Sequence, residues 1–467
     1  MPLKPKLVAL VSSLALILIV ALAARAAFAW DQERKIPRDA LAVVPFAQET
    51  GNIAYALASG QGFSSPFRNN TGPTAWLVPV YPVILAGIFR MFGPLSIPAL
   101  NAAIFLNIVF SAAACVPVFY VARRVAGSPA GVVAAWCWAL LPAAIMLPFE
   151  WIWDTSLSAL LAALLLWATL CVAESESWRD WCLYGLLGGF SLLSNAALGS
   201  LLVPWLAWAG YVVLHRGERG SVLASPAGAT LATGRREEQV PSLGPDRHKG
   251  WKLPLAAAAI AILCCIPWTV RNFVQFHRLI PLRSNFSFEL WSGNNNIFDP
   301  HTGNAMARIT LYGEVRQYTQ LGETGYMRDK WRKATLFIRT HPRLECKLLF
   351  GRIIATWLGT QRPLNDFRGA DFWLPRVVFL VNALLLLGTL AGLVLLYLRR
   401  NRWAFPLAIA PVTYPIVYYI THTSLRYRHP LDPILVLLTA LSATAVFNWS
   451  SKRRATTKSI SHAPAPR

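Results

Sequence analysis

The sequence predicts an all-α polytopic membrane protein with about ten transmembrane helices and an external loop domain of mixed polarity. Three observations lead to this prediction. The chain of 467 residues is 55% hydrophobic and only 14% charged, whereas ordinary soluble domains carry about 25% charged residues. Its apolar residues gather in blocks of roughly 17–25, the length at which a helix crosses a bilayer core. The net charge of +22 lies in short clusters between these blocks.

The positive charge is consistent with two kinds of partner, nucleic acid or anionic lipid and phosphate. Nucleic-acid binders concentrate their charge on one soluble face, whereas these Lys and Arg residues separate apolar segments. We therefore expect membrane lipids as partners and no nucleic acid. The seven Cys residues lie mostly within apolar blocks and have no metal-ligand spacing, so they behave as small hydrophobic residues.

The candidate spans and the basic clusters between them define one topology. Lys and Arg favour the cytoplasmic side of short loops, and an even number of spans places every cluster, and both termini, in the cytoplasm. The first span also resembles a secretory signal peptide, but its length and the spans that follow favour an uncleaved anchor. We expect a bacterial cytoplasmic (inner) membrane protein. The spans are 7–29, 98–121, 129–148, 155–173, 181–196, 198–214, 253–270, 372–398, 403–421 and 429–448.

Two other apolar segments are expected to lie in the outer interface instead of crossing the bilayer. Residues 74–92 contain Pro79 and Pro82, which remove helix donors and clash with the preceding turn. Residues 344–360 contain Lys347 and Arg352, which are costly at mid-bilayer.

The spans divide the chain into four predicted regions. The loop at 215–252 is rich in Gly, Ser, Pro and charge, which is typical of disorder. The regions are a transmembrane module at 1–270 with an outer loop at 30–97 and this cytoplasmic loop, an external periplasmic insertion at 271–371, C-terminal transmembrane helices at 372–450, and a basic cytoplasmic tail at 451–467.

In this topology several charged side chains gather at the outer ends of the spans. A sugar bonded to a lipid phosphate has a leaving group that becomes more negative as the bond breaks, and arginines stabilise that charge. A carboxylate on the other side of the sugar carbon would accept the proton of an incoming hydroxyl. We predict no cofactor, because arginines can neutralise the phosphate; a divalent cation is compatible with the sequence but not indicated by it. The residues are Glu49, Glu150, Asp154, Arg271, Arg426 and Arg428.

The order of these features resembles the GT-C glycosyltransferases, in particular the protein O-mannosyltransferases and the aminoarabinose transferases of lipid A. The resemblance covers most of the chain, from about 7 to 448. The matching motifs are Ile53-Ala54 after an acidic first loop, Gly60-x-Gly62-Phe63, Pro79-x-Tyr81-Pro82, Pro267-Trp268-Thr269-Val270-Arg271-Asn272, and Arg426-Tyr427-Arg428-His429-Pro430.

The resemblance implies a GT-C-like membrane glycosyltransferase of the cell envelope. It implies inverting transfer from a polyprenyl-phosphate sugar donor to a lipid, glycan or protein acceptor at the outer face. The acidic residue of the first loop is the catalytic base in that family, which implies Glu49, with Asp39 and Asp31 as alternatives because the family residue is usually an Asp placed further upstream. The family also has a second acidic residue in the next outer loop, which implies Asp154, with Glu150 as the next candidate. The residues expected to bind substrate are Arg271, Asn272, Arg426, Tyr427, Arg428, Tyr55, Tyr81 and Glu150.

Ordinary structural roles and other functions remain as alternatives at this stage. Glu49 would complement a helix dipole, and Asp154 would be a simple N-cap of the following span. A transporter or flippase of lipid-linked sugars is the alternative function. Transporters usually place polar residues at mid-membrane, where this chain has Asn107 and Asn195.

Overall fold

The structure is a computed structural model that describes residues 12–36, 46, 48–67, 70–215, 250–295, 312–359 and 373–461. Three features predicted from the sequence lie largely or wholly outside these ranges. They are Asp39, most of the cytoplasmic loop, and the end of the basic tail.

The described residues up to His215 form ten α-helices. Within the described ranges, strand pairing is limited to an isolated bridge between Ser64 and Pro73, so the all-α prediction is confirmed. The helices are α1 (Leu14–Glu33), α2 (Glu49–Ala58), α3 (Val80–Phe92), α4 (Ile97–Ala113), α5 (Cys115–Ala126), α6 (Ser128–Ala139), α7 (Pro142–Glu150), α8 (Thr155–Val172), α9 (Trp178–Ser194) and α10 (Gly199–Leu214).

The second half continues with a long helix, a helical insertion and a C-terminal group. In α13 the backbone breaks at Gly322, whose φ is 64°. The helices are α11 (Lys252–Phe276), α12 (Phe286–Gly293), α13 (Tyr312–Thr340), α14 (Pro342–Leu358), α15 (Trp373–Leu398), α16 (Ala404–Thr413), α17 (Ile416–Ile420), α18 (Leu425–Arg428) and α19 (Asp432–Ser461).

Seven helices of the described chain are long and apolar enough to cross a membrane, or eight when the bent pair α6 and α7 counts as one span. The predicted spans at 181–196 and 403–421 consist of shorter helices, namely α9 with 17 residues and the apolar pair α16 and α17. The count of about ten therefore stays a prediction.

The two segments expected at the interface are both helical. In α3 the prolines begin the helix instead of breaking it, since Pro79 is its N-cap and Pro82 lies in the first turn, where backbone N–H groups lack partners. Its 13 residues extend about 20 Å at 1.5 Å per residue, less than a bilayer core of about 30 Å. In α14, Arg352 is 1% exposed and donates to backbone carbonyls of its neighbours.

A buried arginine in the first span supports the bend between α6 and α7. Arg25 is 0% exposed, and its guanidinium donates to the carbonyls of Trp138 and Ala139, where α6 ends, and to the hydroxyl of Ser111. Carbonyls at a helix C-terminus lack intrahelical partners, so Arg25 supplies the missing donors. This contact fixes the direction of α7, which leads into the loop before α8.

Helix α8 connects the two ends of the bundle. Asp154 immediately precedes it and Glu174 follows it, and its 18 residues extend about 27 Å. We call the first end the Asp154 end and the second the Glu174 end. Close helix packing beside α8 uses glycine, because a Cβ at Gly185 of α9 would collide with the backbone of Ala257 in α11; such small residues let membrane helices approach closely.

Candidate functional site

A cavity opens at the Asp154 end, where parts of the chain distant in sequence meet. It is narrow, about 70 Å³, which is room for several waters. Its walls come from the starts of α2 and α3, the loop between α7 and α8, helix α12 of the insertion, and the segment from α16 to α18. The side chains that line it include Asp154, Arg283, Glu289, His422, Arg426 and Tyr427.

Arg426 is the cation at the centre of this site. Its guanidinium lies over the rings of Trp151 at 4.0 Å and Trp153 at 4.8 Å. Three carboxylates are its electrostatic neighbours, Glu49, Asp154 and Glu289. The aromatic rings limit access of water, so these charges interact more strongly than they would in bulk solvent.

Glu49 is the first residue of α2, and it is partly buried. Burial raises the pKa of Glu49 and the charge of Glu289 adds to the rise, while its own backbone N–H and Arg426 oppose it. The chain before α2 passes directly over the helix at Gly51, where a Cβ would collide with the carbonyl of Phe46. This close approach fixes the start of α2, and therefore Glu49, beside the cavity.

Asp154 is not an ordinary N-cap, although it stands in the N-cap position of α8. Its side chain makes no capping hydrogen bond. It accepts instead from the Ser158 hydroxyl at 2.7 Å and the Asn195 amide at 2.9 Å. Burial raises the pKa of Asp154, and the Ser158 hydroxyl and Arg426 counteract that rise.

A chain of polar contacts leads from Arg426 to helix α12 of the insertion. The Arg426 guanidinium donates to the Tyr427 oxygen at 2.8 Å, which leaves the phenol proton for Nε2 of His422 at 3.1 Å. Nδ1 of His422 lies 3.4 Å from a Glu289 carboxylate oxygen. Burial lowers the pKa of His422, and the charge of Glu289 opposes that fall.

The insertion is held against the site by backbone contact. A Cβ at Gly293, the last residue of α12, would collide with the carbonyl of Thr421. Arg352 donates to the Gly293 carbonyl at 2.5 Å and to the Tyr419 carbonyl at 3.0 Å. The Asn294 amide donates to the Ile420 carbonyl at 3.0 Å. These contacts place Glu289 and His422 next to each other.

A second opening reaches Arg426 from the side of the bundle. This side groove, of about 160 Å³, runs between α7 and α15, and most of the residues that line it are apolar, including Met146, Leu147 and Val378. Arg426 lines both the cavity and the side groove. One guanidinium therefore stands between a polar compartment and an apolar one.

Comparison with known proteins gives a family match over part of the chain. Residues 73–233 match the family described as dolichyl-phosphate-mannose-protein mannosyltransferase, which is less than half of the chain. Two structures of the Archaeoglobus fulgidus oligosaccharyltransferase have the same fold. The complex with Zn and sulfate is 13% identical to this chain; the match covers 96% of this chain and 51% of that chain, with a TM-score of 0.50. The apo form is 14% identical; the match covers 97% of this chain and 52% of that chain, with a TM-score of 0.51.

The chain therefore shares its fold with these two structures, and part of it matches that family. It spans about half the length of those two solved chains, and at such low identity they establish the fold alone. No curated protein matches the sequence. Asp154 and Tyr81 lie within the matched family segment, while Glu49, Glu289 and Arg426 lie outside it.

The structure brings four of the predicted site residues into the cavity wall. Asp154, Arg426 and Tyr427 are joined there by Tyr81, whose phenol donates to the side-chain amide oxygen of Asn107 at 2.9 Å. Glu49 lies next to the cavity through its neighbour Thr50. Glu150 is exposed and lines the side groove.

The fold places the other predicted residues elsewhere. Arg428 is 2% exposed and pairs with Asp432 at 2.9 Å. Arg271 donates to the carbonyls of Thr74 and Phe63. Asn272 is buried against the carbonyl of Ile280. These three residues tie segments of the fold together.

Two further residues predicted from the first loop stand at the surface. Tyr55 is 42% exposed. Asp31, one alternative base, forms an exposed ion pair with Lys35.

Arg283, Glu289 and His422 are site residues that the sequence reading missed. Their positions depend on the packing of the insertion onto the segment after α17. The available signal was the short spacing of His422 from Arg426.

Proposed function

We propose that this protein is an inverting membrane glycosyltransferase that uses a polyprenyl-phosphate-linked sugar at the outer face of the membrane. The observation that carries the proposal is the position of Arg426, which has three carboxylates as neighbours at or beside the cavity and an apolar groove on its other side. A donor of this kind has the same layout: a polar sugar, an anionic phosphate and an apolar chain. The name of the matched family favours a protein hydroxyl as acceptor over a lipid or glycan.

The donor would bind with its phosphate at Arg426. Guanidinium groups bind phosphate oxygens bidentately and remain charged at all working pH values. The isoprenoid chain would leave along the side groove between α7 and α15, where Leu147 and Val378 offer apolar contact. The sugar would enter the cavity on the side of Asp154. Because the cavity is narrow, donor binding must widen it.

Glu49 would act as general base and Asp154 as a group that orients the acceptor or the sugar. Burial raises the pKa of Glu49, which brings a base closer to working pH, and no described side chain donates a hydrogen bond to it. Asp154 is already held by Ser158 and Asn195. Glu49 takes the acceptor hydroxyl proton, the hydroxyl oxygen bonds to the anomeric carbon, and the carbon–phosphate oxygen bond breaks.

In this reaction the leaving group is polyprenyl phosphate, and its growing negative charge is stabilised at Arg426. Attack from the side opposite the leaving group inverts the anomeric configuration. A cationic side chain at this point provides the charge neutralisation that a divalent cation provides in other phosphate chemistry. We therefore propose that no metal cofactor is needed for the transfer step.

The bundle offers little support for transport as the main function. Asn107, one of the two polar residues noted for a transport path, bonds to Tyr81 and to the carbonyl of Pro148. The other, Asn195, bonds to Asp154 at the site. Both serve the Asp154 end of the bundle, which fits surface chemistry better than a path through the membrane.

A reconstituted assay tests the proposal. Purified protein in liposomes is given polyprenyl-phosphate sugar with a labelled sugar, together with membrane and envelope extract from a deletion strain. Transfer should release polyprenyl phosphate and move the label to an acceptor class that mass spectrometry identifies. Movement of intact donor between leaflets without cleavage would instead indicate a flippase, and label in glycolipid or glycan would contradict the protein acceptor.

A further inference from the structure

A second cavity, unrelated to the site, lies at the Glu174 end. It has a volume of about 770 Å³ and runs between α10 and the start of α16, beside Ala173 and Glu174. Its walls are aromatic and apolar, and we call it the basic groove because an arginine stands at its mouth. Its lining includes Pro204, Trp208, Tyr211, Arg402, Trp403 and Phe405. The length of α8 separates it from the catalytic cavity.

Arginines converge at the mouth of the basic groove. Arg402 and Arg124 both lie over the Trp403 ring, at 4.3 and 5.3 Å. Both also pair with Glu174, Arg402 at 2.5 Å. The Asn401 amide donates to the Val125 carbonyl at 3.3 Å. This bond joins the chain after α15 to the end of α5.

This junction concentrates positive charge at one end of the bundle. Arg124 and Arg402 share Glu174 at the groove, and Arg123, Arg399 and Arg400 belong to the same two segments of the chain. Arg402 is 65% exposed in its side chain and can exchange partners. An anion at this point would share Arg402 with, or take it from, Glu174.

The shape and lining of the groove narrow the choice of anion. A free phosphate would leave the apolar walls empty, and a nucleic acid has no apolar chain to fill them. The helices at the groove also carry apolar side chains that face outward, since Val203 is 68%, Tyr211 53% and Phe405 47% exposed. The groove therefore opens towards the lipid-facing surface. Basic pockets between transmembrane helices suit anionic lipid head groups.

We propose that the basic groove binds an anionic phospholipid of the surrounding membrane. One acyl chain lies along Pro204, Trp208 and Phe405, and the phosphate binds Arg402 in place of Glu174. The site is independent of sugar transfer, because it lies at the opposite end of the bundle from Arg426.

Native mass spectrometry of the purified full chain in a neutral detergent tests this site. Phosphatidylglycerol and phosphatidylcholine with identical acyl chains are titrated in parallel. The intact protein should retain phosphatidylglycerol selectively. Arg402→Gln should weaken phosphatidylglycerol binding about fivefold, the effect of one arginine at an anionic surface. Arg332→Gln is the matched control, since Arg332 is also an exposed arginine paired with an acid, Asp329, and should bind as the unmodified protein does.

Glu174→Gln separates lipid binding from a purely structural ion pair. Removal of the competing carboxylate should increase phosphatidylglycerol retention, whereas a structural role predicts loss or no change. Equal retention of both lipids, unchanged binding by Arg402→Gln, or unchanged or weaker binding by Glu174→Gln would each overturn the proposal. If Arg402→Gln no longer elutes as a monodisperse species, or if its thermal midpoint falls, the variant is misfolded. The Glu174→Gln result then decides whether the groove binds lipid. None of these measurements depends on transferase activity.

Discussion

At the scale of single residues, three carboxylates share one cation, Arg426. Glu49, Asp154 and Glu289 come from three different parts of the chain, and a lone buried carboxylate in such a place would be costly. The guanidinium offsets that cost for all three. A phosphate at Arg426 would compete with these carboxylates for the guanidinium. Donor binding would therefore change the electrostatic environment of each carboxylate.

Glu49→Gln tests the general base. The amide keeps the size of the side chain but accepts no proton, so transfer should fall about 10²–10⁴-fold, while donor binding changes little. Turnover of labelled donor in liposomes measures the first effect and donor affinity the second. The control is Glu150→Gln, which alters an exposed carboxylate of the side groove and should retain most of the activity. Near-normal turnover of Glu49→Gln would exclude this base.

The pH dependence of transfer should report the same carboxylate. Burial raises the pKa of Glu49, and the base acts only when deprotonated. The value of kcat/KM should therefore fall as the pH is lowered, with a midpoint above the ordinary glutamate value of about 4.3. In Asp154→Asn the acidic limb should persist at reduced activity. A profile that is flat down to the ordinary glutamate range, or a limb lost in Asp154→Asn instead, would assign the base elsewhere.

At the scale of elements, the insertion contributes to the site because α12 packs directly on the segment after α17. Gly293 makes this possible, since any side chain there would collide with Thr421. Arg352 and Asn294 then join the two segments through carbonyls. Glu289 and His422 are neighbours as a consequence of this packing.

Gly293→Ala should therefore damage both stability and activity. The added methyl group must push α12 away from the segment, and such overpacking costs about 1–3 kcal/mol. The thermal midpoint and sugar transfer should fall together. Gly313→Ala is the matched control, because a Cβ at Gly313 meets nothing within 4 Å. An unchanged midpoint and activity in Gly293→Ala would show that this contact does not hold the site together.

The sequence indicated the helical elements well but could not sort the arginines near the last span. Composition and block length are enough to predict helices at membrane-crossing length, because each apolar block must satisfy its own backbone. Arg426 and Arg428 look alike in the sequence. Asp432 at i+4 from Arg428 was the available signal for an ion pair within a helix, and the structure shows that pair.

The remaining site residues could not be predicted for a physical reason. Glu289 and His422 are 133 positions apart in the chain, and their contact depends on a tertiary approach at Gly293 that has no local pattern. Arg271 was expected at the site on the basis of its motif, but its guanidinium is used by carbonyls of the first loop. Local patterns show which side chains are present, and packing decides which of them meet.

At the scale of the whole molecule, α8 joins the Asp154 end, where we propose that sugar transfer takes place, to the Glu174 end, where the basic groove lies. The rule that Lys and Arg favour the cytoplasmic side places the Glu174 end in the cytoplasm and the Asp154 end outside. That orientation is part of the proposal, because polyprenyl-linked donors are to be used at the outer face.

A native cysteine tests the orientation. Cys346 is exposed on α14 of the insertion, so an impermeant maleimide should label it in intact spheroplasts, and Cys346→Ser should remove most of that label. A cysteine introduced by Arg399→Cys, at the end of α15, should react only after lysis. Labelling of Cys346 only in lysed cells would reverse the topology.

The most direct test of the central claim is single-turnover transfer by Arg426→Ala, with donor affinity measured on the same preparation. We expect donor binding to fall and acceptor affinity to stay unchanged. The transfer rate should fall about 10²–10³-fold, as for the loss of one preorganised charge contact. Transfer by the parent protein should be insensitive to a chelator. Arg332→Ala should behave as the parent does. Normal donor binding and transfer by Arg426→Ala would contradict the claim that this guanidinium holds the donor phosphate.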